Sequence, residues 1–155
     1  MVVALEVVGI RLDQISQSPI LLLKESEGRR HLAIWIGASE AASIAQAIDD
    51  VEPPRPLTHD LFVTVLGELG CPSPQMVITS VTDGVWEGEI RLRPGHVVQA
   101  RPSDMVALAV RLGVTVGCRE EVLEEFGILL DESPQDEVER FKEFLDHVSP
   151  DDFED

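Results

Sequence analysis

A chain of 155 residues with a net charge of −17 is long enough to bury the core of one ordinary domain and needs no covalent staple to do so. Its two cysteines, Cys71 and Cys118, match no zinc or redox spacing and read as free thiols of a reducing compartment. The opening Met1-Val2-Val3-Ala4-Leu5-Glu6 has no basic flank, and the longest apolar runs, such as Ile20-Leu21-Leu22-Leu23, are strand-sized. The expectation is a cytoplasmic chain with no export signal and no membrane partner.

Acidity argues against nucleic acid as a partner, because phosphate contacts need basic side chains. The charge is unevenly distributed, however. Residues 120–155 hold 15 acids and 2 bases, whereas residues 1–119 hold 14 acids and 10 bases, nine of them arginine, the side chain suited to bidentate oxyanion contacts. Arginine-rich genomes produce the same bias without any function.

In chain order, residues 2–12 and 20–24 are apolar or β-branched and are separated by the turn chemistry of Ser16-Gln17-Ser18-Pro19, which predicts two strands. A third, 31–36, follows Glu27-Gly28 and completes an antiparallel meander. Ala41, Ile44, Ala45 and Ile48 then fall at helical spacing over 39–49, with Ser39 as the expected cap. A second helix, 59–69, follows Thr58, and Phe62, Val65, Leu66 and Leu69 form its expected buried stripe. Asp83-Gly84 between 75–82 and 85–92 predicts a tight hairpin. A short strand at 96–100 leads into a third helix, 104–112, striped by Met105, Leu108, Ala109 and Leu112, and a last strand covers 114–117. Val122, Leu123 and Phe126 dock a short helix. Val138, Phe141, Leu145 and Val148 stripe another, in an acidic C-terminal appendage at 131–155. The fold class is therefore α+β: a mixed, largely antiparallel sheet covered by about three amphipathic helices, with one domain over 1–130.

Two segments break this pattern by placing Arg-Pro before a helix that opens on a hydroxyl residue and an aspartate. They are Arg55-Pro56-Leu57-Thr58-His59-Asp60 and Arg101-Pro102-Ser103-Asp104; Gly37-Ala38-Ser39-Glu40 adds a third start with a hydroxyl and a carboxylate. Helix N-termini offer free N–H groups and a positive dipole end, so three together could hold an oxyanion or gather carboxylates round a metal. Taken singly, Thr58, Ser103 and Ser39 read as caps, and Asp60, Asp104 and Glu40 as first-turn acids. Proline needs no arginine to do its work, which makes the repeated Arg-Pro the informative feature. His59, beside Asp60, is the best acid–base candidate, because imidazole titrates near neutral pH. His31 and His96 sit in strand contexts without a carboxylate neighbour and His147 lies in the acidic tail, so all three read as structural or solvated, and no P-loop, dinucleotide fingerprint or nucleophile elbow is present.

Ile36-Gly37 with Glu40-Ala41, Arg55-Pro56-Leu57-Thr58-His59-Asp60-Leu61, and Arg101-Pro102-Ser103-Asp104 running into Ala107-Leu108-Ala109 resemble, in order and spacing, the bifunctional nuclease domain family over about residues 3–130. The resemblance implies a compact α+β homodimer and, from plant members, hydrolysis of RNA and DNA. Carried over position by position, it marks Glu40, Arg55, His59, Asp60, Arg101, Ser103 and Asp104. Two positions depart from the family pattern. Gln99 stands where relatives often carry an acid, removing one carboxylate from a metal-binding set, and Val85-Trp86-Glu87 stands where an aromatic-Tyr pair is common.

The reading that follows is a metal-assisted phosphodiesterase. Glu40, Asp60 and Asp104 hold Mg²⁺ or Mn²⁺, His59 activates water, and Arg55, Arg101 and Ser103 contact the phosphate. The rival is a non-catalytic regulatory domain in which the same groups bind an anionic ligand or organise a dimer. In either case the acidic tail is expected to repel polyphosphates at low salt.

Overall fold

The structure, a computed structural model, describes residues 1–130. The expected C-terminal appendage and its amphipathic helix lie outside the described residues.

Strands β1 (Val2–Leu12), β2 (Pro19–Glu25) and β3 (Arg30–Trp35) form the expected antiparallel meander. A second meander comprises β4 (Gln75–Thr82), β5 (Val85–Arg93) and β6 (His96–Ala100). Its first turn has Thr82 opposite Val85 and positive φ at both Asp83 and Gly84. That is the mirror-image two-residue turn whose twist matches the flanking strands. β7 (Val116–Arg119) joins the two meanders, antiparallel to β1 and parallel to β4. A two-residue β8 (Ile128–Leu129) extends the β3 edge, giving the order β6-β5-β4-β7-β1-β2-β3-β8. The sheet is thus mixed and mostly antiparallel, with one parallel pair.

Among the described residues four helices accompany it: α1 (Ala38–Ile48), α2 (Thr58–Glu68), α3 (Pro102–Leu112) and α4 (Glu120–Phe126). α3 packs on β4, β5 and β7, α1 packs on β1, β2 and α3, and α2 lies on α3. α3 is consequently buried almost all round, from Ser103 through Met105, Val106, Ala107, Leu108 and Ala109. It sits close to the sheet at Gly88, where a Cβ would collide with Met105 Sδ and lie 3.1 Å from the Val77 carbonyl. Ile44, Leu5, Leu21, Leu23, Met76 and Ile78 complete one core with Val122 and Leu123 of α4. At about 0.8 kcal/mol per buried methylene, this shared core is what fixes the three helix starts in register.

Two expectations are corrected. Ser39 and Thr58 lie inside their helices and Ser103 is buried in the first turn of α3; the cap positions are Gly37, Leu57 and Arg101, without side-chain caps. On α2, Leu66 alone of the named stripe is buried, while Phe62 and Leu69 are 52% and 61% exposed and Val65 is exposed too. The inward face is His59, Val63 and Leu66, turned by one position. The reason is tertiary: α2 rests on another helix rather than on the sheet, so it buries a narrow seam, and polar contacts of its first turn select which seam. Ile48, at the end of α1, is likewise exposed.

Candidate functional site

The rotated face of α2 puts His59 between the other two helices. Its Nδ1 lies 2.6 Å from Ser43 Oγ on α1, and its Nε2 lies 2.9 Å from Asp104 Oδ1 in the first turn of α3. The other Asp104 oxygen accepts from Arg101 at 2.9 Å, and Arg101 also reaches Glu40 of α1 at 3.1 Å. Glu40 folds back over Gly37, where any Cβ would collide with its carboxylate. Exposure rises outward along this chain of contacts, from 9% at Ser43 to 15%, 31% and 63% for the side chains of His59, Asp104 and Arg101. Both carboxylates hold Arg101 more firmly in its charged form, raising its pKa, with Asp104 the larger influence.

Asp60, one residue on, turns the other way. Its Oδ1 accepts from Arg111 Nε at 2.8 Å, and its Oδ2 accepts from the Leu57 backbone N–H at 2.9 Å. Arg111 also donates to the Ala107 and Ser43 carbonyls, so one largely buried guanidinium ties α3 to α1 and α2. Because Ser43 carries both the carbonyl held by Arg111 and the hydroxyl facing His59, the Arg111 knot sets the position of the His59 contact. A cleft of about 380 Å³ opens beside Arg111 and Asp60, between Gln46, Glu52, Val63 and Val110.

Sequence reasoning named His59, Asp104, Arg101 and Glu40, which meet here. Asp60 belongs to the Arg111 knot and not to the same carboxylate group. Arg55 is exposed, and no hydrogen bond or ion pair of it is found among the described residues. Ser103 is buried. Among the described residues no three His, Cys, Asp or Glu side chains gather into a set that could hold a metal ion. Gln99 is exposed on β6. Ser43 and Arg111 were missed, although Arg111 stands seven residues after Asp104 and so on the same face of α3, about 10 Å along the axis. The cysteines are free and buried, and burial pushes the Cys118 thiol up to about 12, away from thiolate chemistry.

The hydrogen bond from Arg111, then the Leu57 N–H, holds the Asp60 carboxyl below its ordinary range. A lowered carboxylate pKa adds stability that is complete above the unfolded value, about 3.9, and fades as pH falls through the lower folded value. Asp13, held by Ser16, and Glu25, held by Arg30, are lowered as well. Acid should therefore destabilise the wild-type protein below about pH 4, and Asp60→Asn should flatten that dependence without abolishing it. Urea midpoints across the acid range check this; equal pH slopes for the two proteins would contradict it.

No helix among the described residues is long and apolar enough to cross a membrane. A family model described as the bifunctional nuclease domain matches residues 21–131 of the chain. "Uncharacterized protein MT1877" and "Uncharacterized protein Rv1829", from two strains of Mycobacterium tuberculosis (CDC 1551 / Oshkosh and H37Rv), are each 48% identical to it over 156 residues, covering 95% of both chains. The motifs of Gly37 to Ala47, Arg55 to Leu61 and Arg101 to Ala109 all fall inside the matched span, and the chain belongs to the bifunctional nuclease domain family.

Proposed function

We propose that the protein hydrolyses phosphodiester bonds of RNA or DNA at the junction of the three helix starts. The observation that carries this reading is His59, hydrogen-bonded on one side to Ser43 and on the other to Asp104, beside the exposed Arg101. An imidazole oriented by a carboxylate is the arrangement of a general base, and an adjacent guanidinium can take up charge that develops on a phosphate oxygen. Arg55, exposed four residues before His59, supplies a second cation for the nucleic-acid backbone. Glu40 and Asp104 support Arg101, and Asp60 acts through Arg111 as a positioning residue.

With Glu40 and Asp104 shared by Arg101 and Asp60 paired to Arg111, the donor set does not fit a resident metal ion, and no step here passes through one. Metal arms in the assay decide whether the carboxylates leave Arg101 for Mg²⁺ or Mn²⁺. The test is purified protein against end-labelled single- and double-stranded RNA and DNA, with Mg²⁺, Mn²⁺ or chelator, beside His59→Ala to expose contaminating nucleases. Cleavage by the wild type alone supports the reading; equal cleavage by both proteins, or by neither, sinks it.

A second reading, a dimeric domain that binds an anionic ligand without catalysis, draws on the exposed apolar face of α2, where Leu57, Leu61, Phe62, Val65 and Leu69 stand open. This face suits a second copy of the chain, in keeping with the homodimer that the family resemblance implies. Light scattering should then give twice the monomer mass, and Val65→Lys should reduce it to the monomer; a monomeric wild type would remove the dimer from both readings.

A further inference from the structure

We propose that Ser43 is the nucleophile of this site, and that His59 activates its hydroxyl rather than a free water. The inference rests on the phosphodiesterase reading and adds a covalent intermediate to it.

The hydrogen bonds fix the direction of the proton. Asp104, ion-paired to Arg101, can only accept, so the His59 nitrogen facing it, Nε2, must carry the hydrogen. In the neutral ring the lone pair then sits on Nδ1, and Nδ1 is 2.6 Å from Ser43 Oγ. The hydroxyl donates to it. Both ring nitrogens are engaged, and the one basic position is already aimed at a serine oxygen, leaving none directed at solvent. A hydroxyl, a base and a carboxylate that orients the base form the arrangement that activates a weak nucleophile. Three separate helices supply them here, so each is positioned by the shared core rather than by a mobile loop. The Arg111 hydrogen bond to the Ser43 carbonyl holds the serine's own backbone in place.

In the first step Ser43 Oγ forms a bond to phosphorus while His59 Nδ1 takes the hydroxyl proton. The bond from phosphorus to the leaving sugar oxygen breaks with its electron pair, and His59 returns the proton to that oxygen. A phosphodiester is thereby transferred to Ser43. In the second step water attacks phosphorus, His59 takes the water's proton, and Ser43 departs and regains it. The products are one phosphate-ended and one hydroxyl-ended fragment. Arg101, the most exposed member of the cluster, faces the charge carried by the phosphate oxygens in both steps.

Two readouts on the full chain separate this proposal from the reading beneath it. The first needs no nucleic acid: a fluorophosphonate probe, which phosphonylates activated serines, is incubated with wild type, Ser43→Ala and His59→Ala, and the adduct is located by peptide mass. The expected result is a single adduct on Ser43 that forms at least about tenfold more slowly without His59. Absence of an adduct on Ser43, or an equal rate without His59, overturns the assignment. The second is cleavage of labelled RNA. Loss of activity in Ser43→Ala to the level of His59→Ala supports the assignment. Cleavage that survives Ser43→Ala but not His59→Ala leaves the phosphodiesterase reading standing and overturns the nucleophile. A His59-dependent adduct on Ser43, in a wild type that cleaves no nucleic acid, has the opposite meaning: the nucleophile stands and its substrate is of another class. Circular dichroism of both variants confirms that the fold is retained.

Discussion

Replacing Arg111 with methionine should destabilise the protein by about 3 kcal/mol, the low end of the range for breaking a buried ion pair, because Asp60 keeps some solvent. The side chain removed is 11% exposed, and it satisfies the Asp60 carboxylate and the carbonyls of Ala107 and Ser43 together. Methionine preserves much of the stem and its packing, so the loss reports the polar knot rather than a cavity. Asp60→Asn in the same chain should return part of the loss, since it removes the charge left without a partner. Urea unfolding of the single and double variants measures both effects. A midpoint that barely moves for Arg111→Met would mean that the knot is decoration on a core that holds the helices unaided.

Asp104→Asn should cost about 10³–10⁴-fold in hydrolysis while leaving stability almost unchanged. The amide keeps the size of the side chain but can present a donor to Nε2. That choice moves the ring proton to Nδ1 and removes the lone pair from Ser43. It also takes the charge from the partner that most favours the charged form of Arg101, while the amide oxygen and Glu40 still hold the guanidinium in place. The expected signature is a fall in kcat much larger than any rise in KM, because substrate contacts are left in place and the orientation of the base is not. A variant with a raised KM and intact kcat would recast Asp104 as a residue that only holds Arg101 for binding.

The sheet was largely legible in the sequence, because its strands are apolar or β-branched runs bounded by turn residues and its sharpest turn is spelled by Asp83-Gly84. What stayed hidden was set by contacts distant in sequence. β8 is two residues long and exists only as a partner for Arg30 and His31. α2 illustrates the point best: its apolar spacing predicts a face at Phe62, Val65 and Leu69, yet the seam that packs is His59, Val63 and Leu66. The helix gains the Asp104, Ser43 and Arg111 contacts of its first turn only in that orientation. The candidate site was half legible. The Arg-Pro starts pointed to His59, Asp104 and Arg101, since an unusual polar sequence survives translation into space. Ser43 and Arg111 did not stand out, because a serine in an alanine-rich helix and an arginine in a last turn are ordinary in sequence. Asp60, adjacent to His59, was grouped with it, but neighbouring residues on a helix point about 100° apart and serve different partners.

The measurement that tests the central claim most directly is the rate of cleavage of a labelled single-stranded RNA by wild type and by His59→Ala, purified side by side. The account predicts turnover by the wild type and a loss of about 10²–10⁴-fold in the variant, the usual contribution of a positioned general base, with both proteins equally folded. An equal rate in the two proteins would contradict it, and would leave the His59 junction as a structural clasp between three helices.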